Sequence, residues 1–211
     1  MMMTGPTIAE THPAMTLLRA HWEGLRRGRQ VPLRSEVDPR RIEPALHHAF
    51  ILERVAPQVA RFRVAGQHLT DVIGMDPRGM PLTTLFAAAA RDQAGQALEQ
   101  VFKGPEAIEI ALDAADRPVA AGRILLLPLR SDLGDISRAI GCLVAAESLR
   151  AAPPRFRIRD ILAMPVAAGR PLSAGSPPLP PAQALAPALA ESASDFDAAP
   201  LRSHLRLVVS N

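Results

Sequence analysis

The chain of 211 residues carries 24 lysines and arginines against 21 aspartates and glutamates, a formal net charge of +3. Its composition, 48% hydrophobic and 21% charged, is typical of a globular protein and excludes a wholly disordered chain. The single cysteine, Cys142, excludes an intrachain disulfide and a zinc site built from several thiolates. One domain of ordinary size with an appendage fits this length.

Nothing in the first residues resembles a targeting signal. The stretch from Met1 to Pro6 lacks the basic patch and the apolar run of a secretory signal. No apolar run approaches the ~18 residues of a membrane span, so we expect a cytoplasmic protein. The basic excess lies mainly between residues 16 and 45, where seven arginines face four acids, and this predicts a mildly basic face rather than a basic arm.

The first predicted element is an amphipathic helix. Its apolar stripe recurs at spacings of three and four and consists of Met15, Leu18, Trp22 and Leu25. Arg19, Glu23 and Arg26 then point away from the stripe, and Gly28 ends the helix. Residues 1–13, before it, are expected to be disordered.

A short helix and two strands follow. Asp38 and Pro39 predict the N-cap and the first position of a helix that runs to about Leu46. Residues 49–55 are mostly apolar, and residues 61–65 alternate apolar with charged side chains. These two runs predict the strands of a hairpin.

The rest of the domain is predicted as a helical crossover and three more strands. The helical pattern extends from residue 67 to 103, and the strands are predicted near residues 108–112, 123–129 and 139–145. The order is therefore two strands, a helical crossover and three antiparallel strands.

The most apolar of these runs, residues 124–129, predicts that both faces of the sheet are covered. Nearly every position in it is apolar, so both faces of the strand must be buried. The helical crossover covers one face. The apolar stripe of the first helix, which contains Trp22, covers the other face, either from the same chain or from a second subunit. Pro128 cannot donate a ladder hydrogen bond and therefore marks an edge position or a bulge.

Two blocks of the sequence carry a resemblance to a known family. The first is WEGLRRG (22–28) running into VPLRS (31–35), and the second is RFRVAGQHL (61–69) closing on Ile73-Gly74. Over roughly residues 14–147 the chain resembles the PAS-domain family in its stand-alone alphaproteobacterial form. The element order and the resemblance together imply an α+β, PAS-like fold. We expect a five-stranded antiparallel sheet with a helical crossover on one face and an N-terminal amphipathic helix.

The prolines set the predicted end of this domain. Ten of the 21 prolines fall between Pro153 and Pro200. We therefore expect a PAS-like domain over residues 14–150 and a disordered Pro/Ala-rich linker over residues 151–200. Residues 201–211 become apolar again and predict a C-terminal docking peptide, with a frayed terminus as the alternative.

A cleft between the sheet and the crossover is the candidate ligand site. Its predicted lining is apolar and consists of Phe62, Val64, Leu69, Ile73, Phe86, Ile108, Ile110, Leu125 and Leu127. The same side chains can instead fill a plain core, because no polar groups converge on the cleft.

The histidine and cysteine positions argue against a metal, haem or flavin cofactor. His47 and His48 are adjacent and point in different directions, so they do not share an ion easily. His68 lies at the start of the crossover, whereas haem-binding PAS domains usually take their histidine from a later helix. Flavin-adduct PAS domains need a cysteine in the crossover, and Cys142 lies on the last predicted strand. His68 and Asp71 are the only polar pair for acid–base chemistry, with a surface contact or a helix cap as the alternative role.

The resemblance implies a sensory or regulatory protein that is not an enzyme. It would act in trans on a signalling partner, with or without a small apolar ligand in the cleft. The predicted interface, which would also serve a homodimer, consists of Met15, Leu18, Trp22, Leu25 and Arg34. Arg34 either holds the turn that carries it or binds the partner. Two alternatives stay open: a small-molecule enzyme using the same cleft, and a nucleic-acid-associated regulator using the N-terminal arginines.

Overall fold

A computed structural model describes residues 12–116, 119–145 and 155–172. Its helices are α1 (Pro13–Arg26), α2 (Gln67–Ile73) and α3 (Arg91–Lys103). Its strands are β1 (Ala49–Ala56), β2 (Val59–Ala65), β3 (Glu106–Ala114), β4 (Ala120–Leu129), β5 (Arg138–Ala145) and β6 (Phe156–Pro165). Short 3₁₀ helices span Arg34–Glu36, Pro39–Ala45, Leu82–Leu85 and Ala88–Ala90. The described residues all belong to the first of two units of the chain, Met1–Pro177 and Pro178–Asn211.

The six strands form one antiparallel sheet in the order β2-β1-β5-β4-β3-β6. The hairpin β1–β2 comes first, and α2 and α3 lie in the crossover that leads to β3. The predicted α+β class, hairpin and crossover are confirmed. Asp38 also caps the short helix as predicted, because its side chain accepts a hydrogen bond from the amide of Arg40.

The sixth strand corrects two predictions, the five-stranded sheet and the disordered linker starting at residue 151. β6 pairs with β3 from Phe156 opposite Ala114 to Pro165 opposite Glu106. Its side chains alternate between the two cores, with Phe156 buried on one side and Met164 on the other, so the strand gains both ladder hydrogen bonds and burial. The rest of the predicted linker, the docking peptide 201–211 and residues 1–11 lie outside the described residues.

The sheet is buried on both faces, as the apolar run in β4 predicts. Ile124 and Leu126 face α2, α3 and the crossover loops, in what we call the crossover core. Leu125 and Leu127 face α1 in a second core, which we call the α1 core. The alternation follows from the period of two in a strand, and α1 of the same chain supplies the second cover.

Polar contacts fix α1 on the sheet. The indole Nε1 of Trp22 donates to the carbonyl oxygen of Pro128 at 2.8 Å. Pro128 lies near the end of β4, beyond the last β3–β4 pair, Ile108 with Leu126, but it still pairs with Ala139 of β5. It is therefore unpaired on its β3 side only, and the predicted bulge does not form. One turn before Trp22, Arg19 of α1 forms an ion pair with Glu109 of β3 at 2.8 Å. Arg123 of β4 pairs with the same carboxylate at 3.1 Å.

Candidate interaction surface

A buried arginine shapes the segment that leads from α1 to the sheet. Arg26 is 2% exposed and forms an ion pair with Glu23 at 2.8 Å. Its guanidinium also donates to four backbone carbonyls, those of Arg29, Gln30, Ala167 and Arg170. The helix end, the following turn and the chain after β6 are therefore tied to one side chain.

This arginine corrects the predicted apolar stripe of α1. The buried residues of the helix are Ala14, Met15, Leu18, Trp22 and Arg26. Arg26 takes the inward position four residues after Trp22, and Leu25 is only partly buried beside it. A helical pattern with spacings of three and four permits either residue at that position, and two of the carbonyl acceptors that favour arginine, those of Ala167 and Arg170, come from a distant part of the chain.

The extended segment after α1 is held by Glu36. Its carboxylate accepts from the amide of Leu33 at 2.9 Å and from Arg29 at 2.6 Å. The hydrogen bond from the backbone amide of Leu33 lowers the pKa of Glu36 below its ordinary value, and the guanidinium of Arg29 lowers it further. The amide of Arg34 donates to the carbonyl of Arg130 at 2.8 Å, which docks the segment at the end of β4.

An open apolar groove of about 410 Å³ lies between this segment and the β1–β2 end of the sheet. We call it the Arg34 groove. It is lined by Arg34, Val37, Pro39, Ile42, Leu46, Ala49, Phe50, Ile51, Val64, Ala65, Gly66 and Ile140. It is on the face of the sheet that α1 covers elsewhere, since Ile42 and Ile140 belong to the α1 core and Ile51 packs against it.

A glycine lets the walls of the groove meet. A Cβ atom at Gly66 would collide with the carbonyl oxygens of Leu46 and His47. The amide of Gly66 donates to the carbonyl of Ala49 at 2.8 Å. The turn before β1 and the start of α2 therefore form one closely joined wall.

Among the described residues, Arg34 is the one charged residue that lines the groove. Its side chain is exposed and forms no hydrogen bond or ion pair with the residues that the structure describes. Among the described residues, Glu36 holds the turn through Leu33, and the two roles suggested for Arg34 stay predictions. At the rim, Leu46 and Val64 are 39% and 50% exposed, a large exposure for apolar side chains beside a packed core.

The residues predicted to line a ligand cleft do not lie together. Phe62, Leu69, Phe86, Ile108 and Ile110 are fully buried in the crossover core, and Ile73 packs against it. Leu125 and Leu127 lie on the other face, under α1. Val64 lines the Arg34 groove because a bulge between β1 and β2 pairs Leu52 with Phe62 but Ile51 with Val64, which turns these two side chains to opposite faces.

The predicted interface residues are already used within the chain. Met15, Leu18 and Trp22 are at most 1% exposed and belong to the α1 core. A second subunit reaches them only if α1 leaves the sheet. Self-association through this stripe stays a prediction.

The sequence suggested a surface contact or a helix cap for His68, but the structure buries this side chain. It is 6% exposed, and its Nε2 accepts from the amide of Ala145 at 3.1 Å. Asp71 is engaged elsewhere, since its carboxylate accepts from the side chain of Gln67 at 2.8 Å. The two side chains therefore do not form the predicted acid–base pair.

The remaining candidates for chemistry have structural roles. Cys142 is buried on β5, and burial raises the pKa of its thiol to about 12. Within the described ranges, no three histidine, cysteine, aspartate or glutamate side chains are placed to hold a metal ion.

No helix in the described part of the chain is long and apolar enough to cross a membrane.

Comparison with known proteins identifies the family. A family model described as PAS domain matches residues 10–144, more than half of the chain, so the protein belongs to the PAS-domain family. Family membership indicates a sensory or regulatory role. None of the curated proteins matches the sequence.

Two solved structures of light-oxygen-voltage domains are similar at low identity. One, from work with a flavin analogue, is 15% identical with a TM-score of 0.37, covering 53% of this chain and 86% of that one. The other, the light state of the blue-light photoreceptor Aureochrome1 LOV, is 16% identical with a TM-score of 0.36, covering 52% of this chain and 89% of that one. Neither likeness is close enough to carry over a ligand.

Proposed function

We propose that this protein is a cytoplasmic PAS-type regulator that acts in trans by direct contact with a partner protein, and that the Arg34 groove is the contact surface. The observation that carries the proposal is an open apolar groove whose rim exposes Leu46 and Val64 beside Arg34, which forms no ion pair with the residues that the structure describes. Contiguous exposed apolar surface on a packed domain is typical of an interaction site. Interface cores are apolar, with arginine enriched.

The chemistry of the groove defines the partner. Its lining accepts one or two aliphatic or aromatic side chains, and the guanidinium of Arg34 offers a planar set of donors that suits a carboxylate. No acid from the described part of the chain lines the groove. The matching segment is therefore an acidic stretch with an apolar anchor, and the small volume fits a transient contact.

Matched variants of two valines test this proposal. Val64 is in the groove at 50% exposure, and Val55 is on β1 outside it at 46% exposure. Val64→Glu places a carboxylate where the apolar anchor and acidic group of the partner would bind, whereas Val55→Glu makes the same change elsewhere. Proteins captured from native cells by the tagged full-length chain are identified by mass spectrometry and then purified for calorimetry.

We expect at least about a tenfold loss of affinity for Val64→Glu and for Arg34→Gln, and little change for Val55→Glu. Thermal melting of each variant checks that the fold is kept. Equal binding of the partner by wild type and both groove variants would place the contact elsewhere on the surface.

A small apolar acid is the second candidate occupant, because about 410 Å³ lies within the range of ligand pockets, roughly 300–1,000 Å³. Native mass spectrometry of protein purified from its own cells separates the two. A bound small molecule that is present in the wild type and lost in Val64→Glu would favour a ligand over a protein partner.

A further inference from the structure

Four histidine rings meet at the segment between Leu46 and Ala49, two residues that line the Arg34 groove. His48 is at the centre, with ring centroids 5.0 Å from His12, 5.0 Å from His47 and 4.5 Å from His68. His47 and His68 are 5.8 Å apart. The rings come from the N-cap of α1, the turn before β1 and the start of α2, and we call them the histidine cluster.

Two of these rings make hydrogen bonds that only a neutral imidazole can make. Nδ1 of His12 accepts from the amide of Ala14 at 3.2 Å and so caps α1. Nε2 of His68 accepts from the amide of Ala145 at 3.1 Å. A ring nitrogen that accepts a hydrogen bond carries no proton, and protonation turns it into a donor facing another donor. Both contacts are therefore lost when the rings become charged.

The central ring is poorly placed to carry a charge. Burial is the main cause that lowers the pKa of His48, followed by His12 and His47, while the contact of its Nδ1 with the carbonyl of Leu143 at 3.2 Å raises it. On α2, the carboxylate of Asp71 is bound by the side chain of Gln67. Positive charges on neighbouring rings repel each other at these distances, so protonation favours separation of the rings.

The cluster is joined to the groove through the backbone. His47 and His48 lie between Leu46 and Ala49, two residues that line the groove. The carbonyl of His47 accepts from the amide of His68 at 3.0 Å. A backbone change at His47 or His48 is therefore passed directly to Leu46, Ala49 and Gly66 in the wall.

We propose that the histidine cluster makes the Arg34 groove responsive to acid. The neutral cluster holds the wall in the shape described above. Protonation of His48, as the pH falls below the ordinary histidine value of 6.5, adds a charge at the centre of the cluster, separates the rings and reshapes the groove. This regulation rests on the proposed function for its biological meaning, but the coupling itself is measured without any partner.

NMR of the full-length protein tests the coupling. Backbone amide shifts of Ala49, Val64 and Gly66 are followed from about pH 7.5 to about pH 5, together with the histidine ring signals. We expect the groove amides to titrate with the His48 ring. In His48→Gln their shift changes should fall by about half or more, whereas His21→Gln, a histidine of α1 outside the cluster, should leave them as in wild type.

A second variant keeps the test sharp if His48→Gln unfolds. His12→Asn preserves an N-cap but removes one neighbouring charge, so the groove amides should titrate at a higher pH than in wild type. Groove amides that stay still while the His48 ring titrates, or that respond equally to His48→Gln and His21→Gln, would overturn the coupling. Failure of the groove variants to affect partner binding would instead overturn the proposed function and leave the coupling intact.

Discussion

The two faces of the sheet are covered to different extents. On the crossover face, α2, α3 and the short helices bury large side chains such as Phe62 and Phe86 completely. On the other face, α1 covers β3, β4 and β5 but leaves the Arg34 groove open at the β1–β2 end. The comparison locates accessible apolar surface, and so the proposed contact with a partner, on the face that carries α1.

The two faces are also held by different forces. The crossover core is almost wholly apolar, whereas α1 is tied to the rest of the domain by directed polar contacts at Trp22, Arg26 and Arg19. Buried polar contacts are costly to break on one side, because the partner group is left unsatisfied. Substitutions in α1 therefore test the comparison most strongly.

The largest effect is expected for Trp22→Ala. This change removes a buried indole and its bond to the carbonyl of Pro128, and truncation of a packed tryptophan costs about 3–5 kcal/mol. Urea unfolding measures it. Trp22→Phe keeps most of the apolar volume and should cost less, so equal losses for the two variants would show that α1 does not depend on the size of this side chain.

Arg26→Met comes next. It leaves four backbone carbonyls and Glu23 without their donor, and we expect a loss of about 2–3 kcal/mol in the free energy of unfolding. The adjacent Arg27 is exposed, so Arg27→Met should change stability by no more than about 0.5 kcal/mol. A similar small effect at both positions would contradict the role given to Arg26.

A smaller effect is expected from the pH. Because burial, His12 and His47 lower the pKa of His48 in the fold, the unfolded chain binds its proton at a higher pH than the folded chain. The stability that His48 contributes is therefore fully present above pH 6.5 and is lost as the pH falls through its folded pKa. As the pH is lowered, the free energy of unfolding should therefore fall less steeply in His48→Gln than in wild type. An equal pH dependence in the two proteins would exclude a contribution from His48.

The smallest effect concerns Cys142. With its pKa raised to about 12 by burial, the thiol holds almost no thiolate near pH 8 and has no access to reagent. Iodoacetamide should therefore leave the folded protein unmodified and label it once urea unfolds it. Rapid labelling of the native protein would show that the α1 core opens under native conditions.

Much of the fold follows from local patterns in the sequence. Spacings of three and four predict α1, alternation predicts β1 and β2, and the doubly apolar run of β4 predicts a sheet covered on both faces. The missing donor of Pro128 fits its position near the end of β4, where the β3 side is unpaired. Each of these depends on residues close together in the chain.

The wrong predictions concern features that depend on contacts between residues far apart in the chain. The prolines around residues 153–165 hide the alternation of β6, although Pro165 is only its last residue and none lies in its interior. The bulge that separates Phe62 from Val64 depends on pairing with β1. Arg26 resembles a solvated helix residue until the carbonyls of Ala167 and Arg170 are brought to it, and the groove itself is formed by four separate segments.

Site-specific photo-crosslinking in native cells tests the central claim, that the partner binds the open end of the α1 face. A benzophenone amino acid is placed at Val64, inside the groove, or at Val55, outside it and similarly exposed. We predict a protein adduct from position 64 that Arg34→Glu suppresses and that position 55 does not give. An adduct from position 55 alone, or one from position 64 that persists in Arg34→Glu, would contradict the account.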